Sequence, residues 1–340
     1  IVTTPNFIVR EILRQTMKDD LAQLDDEKIL CLKCADIACG SGAFLLETFQ
    51  LLCDALVDFY TLNDKSNLIQ TDVNTYKLKF EIKRNVLKSC IYGVDKDFNA
   101  VEACKFGLLL KLLEGEDDSS IESFHPILPN LDNNIFYGNS LLESSDVPAN
   151  QVEEINPFDF GEHKFDYIVG NPPYMKTEDI KVFTPKEHKL YPRRYTSAYK
   201  QYDKYFLFIE RAFKLLNDGG AMGYIVPSKF MKVGAGKKLR NFISSQKSIK
   251  GITSFGAHQI FSDKSTYSCI VVLRNKENDT FKYSEVDSLA KWKVRDLTSF
   301  SENKRNISRL GEETWVLCSD RLQSILNHIS AQSLPLGEIV

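Results

Sequence analysis

The sequence has little net charge and no long apolar run. Its 340 residues include 43 lysines and arginines and 46 aspartates and glutamates, which leaves a formal net charge of −3 at pH 7. A nucleic-acid partner would therefore require basic residues gathered on one face, because composition alone supplies no excess of positive charge. The sequence contains no signal peptide and no apolar run long enough to span a bilayer, so no membrane partner is expected.

Histidines are few, and the cysteines form no recognisable ligand set. None of the five histidines lies in a ligand-like cluster. The eight cysteines are scattered through apolar segments, and only Cys31 and Cys34 form a CxxC pair. A structural zinc site needs a second pair of ligands at similar spacing, and the sequence has none. The pattern predicts no metal and no disulfide framework, and it favours a reducing, cytoplasmic compartment.

Apolar, β-branched runs alternate with amphipathic helical stretches along the chain. This alternation predicts a Rossmann-like α/β fold with a mainly parallel central sheet and helices on both faces. Strands are predicted over residues 34–38, 91–95, 135–137, 167–169, 222–226 and 269–273. Helices are predicted over residues 6–19, 43–59, 99–113 and 205–216. One domain is expected over residues 1–275, with a surface insertion at 61–80, because polar residues dominate from about 275 onwards.

A glycine turn and two acidic strand ends indicate a nucleotide-like cofactor. Gly40 and Gly42 lie where a strand turns into a helix, so the backbone can approach a bound group and the helix can offer free N–H donors. Asp95 ends the next strand, where a carboxylate can accept both ribose hydroxyls of an adenosyl group. The dinucleotide spacing GxGxxG is missing because two leucines follow Phe44. S-adenosylmethionine is therefore favoured over NAD.

The hydrophobic strand predicted at 167–169 leads into a polar, proline-rich motif, which consists of Asn171, Pro172, Pro173 and Tyr174. Two prolines fix the backbone and remove two donors, which leaves carbonyl acceptors and the Asn171 side chain at one turn. The amine on adenine C6 is a poor nucleophile because its lone pair is delocalised into the ring. If the Asn171 side-chain oxygen and the Pro172 carbonyl each accept one N–H, that lone pair can point at a sulfonium methyl. The motif thus predicts catalysis by positioning, without a metal.

Together these motifs resemble the gamma class of DNA amino-methyltransferases, over most of residues 3–273. The resemblance implies a class I S-adenosylmethionine-dependent methyltransferase that methylates N6 of a flipped-out adenine in a specific sequence of double-stranded DNA. Such enzymes belong to restriction–modification systems. It also implies that residues 1–275 are the catalytic domain and 276–340 a linker with the truncated start of a recognition domain. A recognition or nuclease module, fused or separate, is the further partner expected.

The resemblance also assigns roles to individual residues. Thr4 belongs to an N-terminal cofactor-binding motif, and Asn139 stands where the family commonly has an acid beside the cofactor adenine. The Asn139 amide is expected to accept from the adenine amino group. Tyr174 and Phe261 are expected to stack on the two faces of the flipped base. The loop around the methionine part of the cofactor comprises Asp36, Ala38, Cys39, Gly40 and Gly42, with Asp95 on the ribose. Apart from the resemblance, two clusters of basic residues indicate phosphate contacts, with a solvated charged face as the alternative for each member: Lys186, Lys189, Arg193, Arg194, Lys229, Lys232, Lys237, Lys238 and Arg240.

Four other functions remain open from the sequence. The same NPPY motif occurs in enzymes that methylate glutamine amides of protein release factors, and methylation of a ribosomal RNA base is a further possibility. Cytosine N4 methyltransferases use a related motif that commonly begins with Ser or Asp, so Asn171 favours adenine. A DNA-binding scaffold with a silent methylase fold is the non-enzymatic alternative. The intact glycine turn, Asp36, Asp95 and NPPY argue against that last one.

Overall fold

The computed structural model describes residues 3–261, 267–294 and 300–318, with the single positions 322, 324, 325, 328, 329 and 332. Within these residues, the strands are β1 (Cys34–Asp36), β2 (Leu68–Asp72), β3 (Thr75–Leu78), β4 (Ile91–Asp95), β5 (Ile135–Tyr137), β6 (Phe165–Gly170), β7 (Leu216–Pro227), β8 (Ile249–Ser254), β9 (Ser268–Arg274), β10 (Thr280–Val286) and β11 (Phe300–Asn306).

The helices lie between these strands and before the first of them. They are α1 (Asn6–Leu13), α2 (Asp19–Leu21), α3 (Asp26–Cys31), α4 (Ala43–Leu62), α5 (Phe80–Cys90), α6 (Phe98–Leu113), α7 (Asp118–Ile121), α8 (Val152–Ile155), α9 (Thr177–Phe183), α10 (Pro185–Arg194), α11 (Lys204–Lys214), α12 (Lys237–Ser245) and α13 (Leu289–Lys293). A π-helical turn, Arg14–Lys18, joins α1 to α2. Over the described ranges, no helix combines the length and apolarity needed to cross a membrane.

Nine of the strands form one sheet, in the order β11-β10-β8-β9-β7-β6-β1-β4-β5. The five strands from β7 to β5 pair parallel to their neighbours, and β8 is parallel to β10. Strand β9 runs antiparallel to both β7 and β8, and β11 runs antiparallel to β10. The mainly parallel α/β sheet predicted from the sequence is therefore confirmed.

Alternating side chains of the central strands pack into two separate cores. In β6, Tyr167 and Val169 contact one core, whereas Ile168 between them contacts the other. Successive side chains of a strand point to opposite faces of the sheet, so both faces are covered. The first core includes buried residues of α1, α4, α5 and α6, and the second includes buried residues of α10, α11 and α12.

The structure differs from the sequence prediction at several elements. The run Asn217 to Gly220, predicted as a turn after a helix, lies inside β7. Gly219 has φ +76°, and the register of β7 against β6 shifts beside it, between Phe165 and Tyr167. Irregular pairing thus allows a turn-like sequence to sit within a strand. Several longer elements were also not predicted from the sequence: the strands β8, β10 and β11 and the helices α5, α9, α10 and α12.

The predicted domain boundary stays a prediction. Beyond residue 275 the same sheet continues, because β10 pairs with β8 and β11 pairs with β10. The predicted surface insertion at 61–80 contains the two-stranded antiparallel sheet of β2 and β3. Much of the expected recognition-domain segment after residue 318 lies outside the described residues.

Helix α1 and the π-helical turn pack so closely on β7 that one strand position must be glycine. A Cβ atom on Gly223 would lie 2.0 Å from Thr16 Oγ1 and 3.0 Å from Ile12 Cγ2. The Thr16 hydroxyl donates to the Ile12 carbonyl at 2.6 Å, which fixes its position. We expect Gly223→Ala to lower the free energy of unfolding by about 2 kcal/mol through overpacking, as measured by urea denaturation.

Gly251→Ala in β8 is the matched control, since the nearest atom to its added Cβ would be the Lys282 carbonyl oxygen at 3.5 Å. That variant is expected to unfold within about 0.5 kcal/mol of the wild type. Equal destabilisation of the two variants would contradict the close contact between Thr16 and β7.

Candidate active site

The candidate site is a cavity at the edge of the sheet where the parallel strands end. Asp36 ends β1, Asp95 ends β4, Asn139 follows β5 and Asn171 follows β6. The carboxyl ends of parallel strands meet at one edge, so these side chains lie close together. The cavity has a volume of about 520 Å³, and its lining includes every predicted cofactor and catalytic residue except Gly42.

The glycine loop between β1 and α4 adopts left-handed backbone conformations. Gly40 has φ +51° and Gly42 has φ +90°, both in a region that favours glycine. The Gly40 N–H donates to Asp95 Oδ2 at 2.8 Å, which ties the loop to the end of β4. A Cβ atom on Gly42 would lie 2.6 Å from the Cys104 Sγ atom, so Gly42 serves the packing of the loop on α6.

Asp36 is a buried carboxyl group with only 2% of its surface exposed. Its Oδ1 atom accepts from the Ala38 N–H at 3.0 Å, and a Cβ atom on Gly170 would lie only 2.7 Å from it. Burial raises the pKa of Asp36 to about 8; the Ala38 hydrogen bond opposes this shift, and the charge of Asp95 adds to it. The Asp36 carboxyl can therefore change charge near neutral pH.

Asn139 presents a buried donor whose partner is not among the described residues. Its side chain is 1% exposed, and its Oδ1 atom accepts from the Leu141 N–H at 3.2 Å. Its Nδ2 atom is buried and has no hydrogen-bond partner in the described part of the chain. The expected role as an acceptor stays a prediction, because the amide oxygen keeps a second lone pair beside its bond to Leu141. The buried Nδ2 atom adds a donor that a ligand could also meet.

The side chain of Asn171 is fixed by contacts from two elements. Its Nδ2 atom donates to Thr4 Oγ1 at 3.0 Å, and its Oδ1 atom accepts from the Tyr174 hydroxyl at 2.7 Å. The Tyr174 hydroxyl also lies 3.0 Å from the Ile225 carbonyl oxygen, a second acceptor. Burial raises the pKa of Tyr174 well above its usual value, so the phenol stays protonated. The structure thus brings the predicted catalytic amide and Thr4 together.

The two aromatic rings expected to stack on a base are neighbours but are not parallel. The centroids of Tyr174 and Phe261 lie 6.4 Å apart, and the ring planes meet at 73°. Phe261 is 3% exposed and packs in the core. An edge-to-face pair leaves no slot in which a flat base could lie between the rings. The stacking role of Phe261 stays a prediction, and the neighbouring residues 262–266 lie outside the described ranges.

Of the basic residues predicted to contact phosphate, two arginines are held within the fold and three lysines form ion pairs nearer the surface. Arg240 is buried and donates to the carbonyls of Phe230 and Val233 at 2.6 and 2.8 Å. Arg194 pairs with Glu143 at 2.9 Å and with a second carboxylate, that of Asp146. Three more form ion pairs with carboxylates: Lys186, Lys229 and Lys237. The exposed members of the set are Lys189, Arg193, Lys232 and Lys238.

A lysine and a phenylalanine of the cavity wall were not predicted as site residues from the sequence. Lys204 and Phe208 both line the cavity from α11. Lys204 is 6% exposed, and burial lowers its pKa while the nearby Glu187 carboxylate raises it. The two residues are four positions apart, so they share one face of the helix. A lysine placed on that apolar face was the signal that could have identified it.

Half of the chain matches a known protein family. The model of the Eco57I restriction-modification methylase family matches residues 89–261, just over half of the chain. The chain belongs to the Eco57I restriction-modification methylase family. This membership confirms the predicted relationship to restriction–modification methyltransferases, and it agrees with S-adenosylmethionine as the methyl donor.

Two relatives show how much of a family protein the chain spans. It is 51% identical to the type II restriction enzyme and methyltransferase RM.Eco57I of Escherichia coli, over 100% of this chain and 34% of that protein. It is 27% identical to the type II methyltransferase M.BstVI of Geobacillus stearothermophilus, over 94% of this chain and 54% of that protein. The chain therefore spans about a third and about half of the lengths of these relatives.

A solved structure supports the fold. A nuclease-deletion mutant of the Type ISP restriction-modification enzyme LlaGI, in complex with a DNA substrate mimic, matches with a TM-score of 0.62 and 15% identity. The match covers 89% of this chain and 26% of that one. At this identity the likeness shows that the two chains share a fold.

The raised pKa of Asp36 predicts a pH-dependent stability difference. Between pH 3.8, the ordinary carboxyl value, and about pH 8, the unfolded state releases the Asp36 proton while the folded state retains it. The wild type therefore loses stability as the pH rises through this window, and Asp36→Asn, which does not titrate, keeps its stability. We expect the unfolding free energy of the variant relative to wild type to increase by roughly 1.4 kcal/mol per pH unit, as measured by urea denaturation.

Asp25→Asn is a control of opposite sign. Asp25 caps α3, and its hydrogen bonds to Lys28 lower its pKa, so the wild type gains stability as the pH rises through the folded pKa towards the ordinary value. A pH-independent difference for Asp36→Asn would show that the Asp36 carboxyl titrates alike in the folded and unfolded states.

Proposed function

We propose that this chain transfers the methyl group of S-adenosylmethionine to N6 of a flipped-out adenine in a specific sequence of double-stranded DNA. It would act as the adenine-specific methyltransferase of a restriction–modification system in the cytoplasm, with a fused or separate recognition or nuclease module. The observation that supports this is the Asn171 amide, which lies in one cavity with the glycine loop and Asp95. Membership in the restriction-modification methylase family supports the same reaction.

The residues of the cavity fit an adenosyl cofactor. The buried Asn139 Nδ2 atom is a donor that matches an acceptor nitrogen of an adenine ring. The Asp95 carboxylate, oriented by the Gly40 N–H, can accept from ribose hydroxyls, and the left-handed glycine loop leaves its backbone close to the cavity. A cavity of about 520 Å³ lies within the common range for cofactor sites. When bound, S-adenosylmethionine supplies an electrophilic methyl group on a sulfonium.

The contacts of Asn171 determine which side-chain atom can serve the substrate amine. Because Nδ2 donates to Thr4, the amide oxygen points away from Thr4 and towards Tyr174. The Tyr174 hydroxyl can transfer its hydrogen bond to the Ile225 carbonyl, which frees the amide oxygen without leaving the phenol unsatisfied. The amide oxygen and the Pro172 carbonyl then each accept one N–H of the substrate. These neutral acceptors orient the nitrogen lone pair. The nitrogen becomes strongly acidic once methylated, so its surplus proton can pass to water and no strong base is needed.

Tyr174 is also proposed to stack on the flipped base. Its hydroxyl is buried, but the residue as a whole is only partly buried and lines the cavity. Phe261 touches Tyr174 edge-on, so it would have to turn for the base to lie between both rings. Stacking on Tyr174 alone needs no such rearrangement.

The decisive experiment incubates the full-length protein with S-adenosylmethionine labelled in its methyl group and plasmid DNA of mixed sequence. The DNA is then digested to nucleosides, which are separated. Label in N6-methyladenine is the expected result. Label in N4-methylcytosine would keep the methyltransferase reaction and overturn the substrate. An absence of label from DNA, with the methyl donor bound, would overturn the proposed function.

Asn171→Ala is expected to abolish methyl transfer and to leave binding of the methyl donor nearly unchanged. The variant removes the acceptor for the substrate amine, whereas the glycine loop and Asp95 remain. Asp95→Ala is the matched contrast and should weaken donor binding, because it removes the carboxylate held by the Gly40 N–H. Transfer rates and calorimetric dissociation constants distinguish the two effects. Full activity of Asn171→Ala would refute its catalytic role.

Two substitutions at Tyr174 separate its ring from its hydroxyl. Tyr174→Phe keeps the ring and leaves the Asn171 oxygen open, so we expect a loss of kcat of less than about tenfold. Tyr174→Ala removes the stacking surface, which is worth about 1–3 kcal/mol per base, so kcat/KM for DNA should fall by about ten- to a hundredfold. Equal losses for both variants would indicate that the hydroxyl, rather than the ring, is the important group.

A further inference from the structure

Lys204 is a buried lysine on the wall of the cavity for which the proposed mechanism has no role. It begins α11 and is 6% exposed. Its backbone N–H donates to the Met175 carbonyl at 2.9 Å, so the lysine lies directly behind the turn that carries the catalytic Asn171. One helical turn further on, Phe208 lines the same cavity.

The cluster of Lys204, Lys96 and Glu187 contains more positive than negative charge. Glu187 lies 3.5 Å from Lys204 Nζ, and the same carboxylate also pairs with Lys96 and accepts from the Tyr191 hydroxyl. Two ammonium groups thus share one carboxylate. Lys204 Nζ also lies over the ring of Tyr191, 5.8 Å from its centroid.

A buried ammonium needs acceptors for its three N–H donors, and a long ion pair with a shared carboxylate does not satisfy them. Water or a ligand in the cavity must supply the rest. Lys96 directly follows Asp95, the carboxylate proposed for the ribose, and it joins Lys204 through Glu187. Glu187 thus links Lys204 to the residue that follows the proposed ribose ligand, which supports a role for Lys204 near the adenosyl group. A cationic sulfonium would also be repelled by an ammonium beside it.

We propose that the Lys204 ammonium binds the adenosyl group of the methyl donor by donating to a ring nitrogen or ribose oxygen. The inference rests on the proposed function, since it assumes that an adenosyl cofactor fills this cavity. It adds a cationic donor to a cavity in which Asn139 already offers an amide N–H that has no partner among the described residues. Both groups complement a ligand whose exposed atoms at that end are acceptors.

The test measures ligand binding by calorimetry on the full-length protein without DNA. The ligands are S-adenosylhomocysteine and 5′-methylthioadenosine, which keeps the adenosyl group but lacks the amino-acid part. Lys204→Met retains the length of the side chain and leaves Glu187 paired with Lys96 and Tyr191. We expect it to weaken both ligands by the same factor, about tenfold or more. Lys181→Met, at an exposed lysine of α9 outside the predicted binding residues, should bind both ligands as the wild type does.

Three results would each overturn the proposal. Unchanged affinity for both ligands in Lys204→Met would overturn it. A loss confined to S-adenosylhomocysteine would place the ammonium at the amino-acid carboxylate and overturn the adenosyl assignment. Weaker plasmid binding with unchanged ligand affinity would assign Lys204 to the target nucleotide and likewise overturn it.

Two further measurements keep this test separate from folding and from the proposed function. Thermal unfolding establishes that Lys204→Met folds; if it does not, Lys204→Gln replaces it, with a several-fold weakening of both ligands expected. A wild-type protein that fails to bind S-adenosylhomocysteine would count against the proposed function itself, whereas wild-type binding with no effect of Lys204→Met would count against this inference alone.

Discussion

The site depends on the parallel arrangement of β4, β1 and β6, whose carboxyl ends meet at one edge of the sheet. This adjacency brings Asp95, Asp36 and Asn171 to one cavity although they are far apart in the sequence. The hydrogen bond from Gly40 to Asp95 then ties the loop after β1 to the end of β4. Gly170, at the end of β6, has no side chain, and this allows the Asp36 carboxyl of the neighbouring β1 to lie directly against it.

Most of the central fold and the position of the catalytic turn could be predicted from the sequence, because each is encoded locally. Strand β4 and strand β5 have the predicted bounds, and the glycine loop lies at the predicted strand end. The hydrophobic run before Asn171 likewise predicts β6. Patterns confined to a few neighbouring residues, such as apolar runs and glycine turns, predict an element where the local preference and the tertiary packing agree. Where they disagree, as in the turn-like run from Asn217 to Gly220 inside β7, the prediction is wrong.

Other features could not be predicted, because they depend on residues that meet only in three dimensions. Nothing in the local sequence of Thr4 indicates that its hydroxyl accepts from Asn171. The commitment of Arg240 to backbone carbonyls is invisible in a run of basic residues, which looks the same whether its members face solvent or the core. The orientation of Phe261 against Tyr174 depends on packing between separate elements. Burial decides the role of each of these groups.

The close packing of the π-helical turn on β7 has a consequence at the other end of the N-terminal segment. Thr4 precedes α1 by two residues, and Thr16 lies ten residues beyond Asn6 along α1 and the π-helical turn, a rise of roughly 15 Å. A helix of this length behaves as a stiff rod, so the fit of Thr16 over Gly223 also sets how far Thr4 projects towards Asn171. The Asn171 amide is therefore held from β7 by two routes, through Tyr174 on the Ile225 carbonyl and through Thr4 on the helix that packs over Gly223.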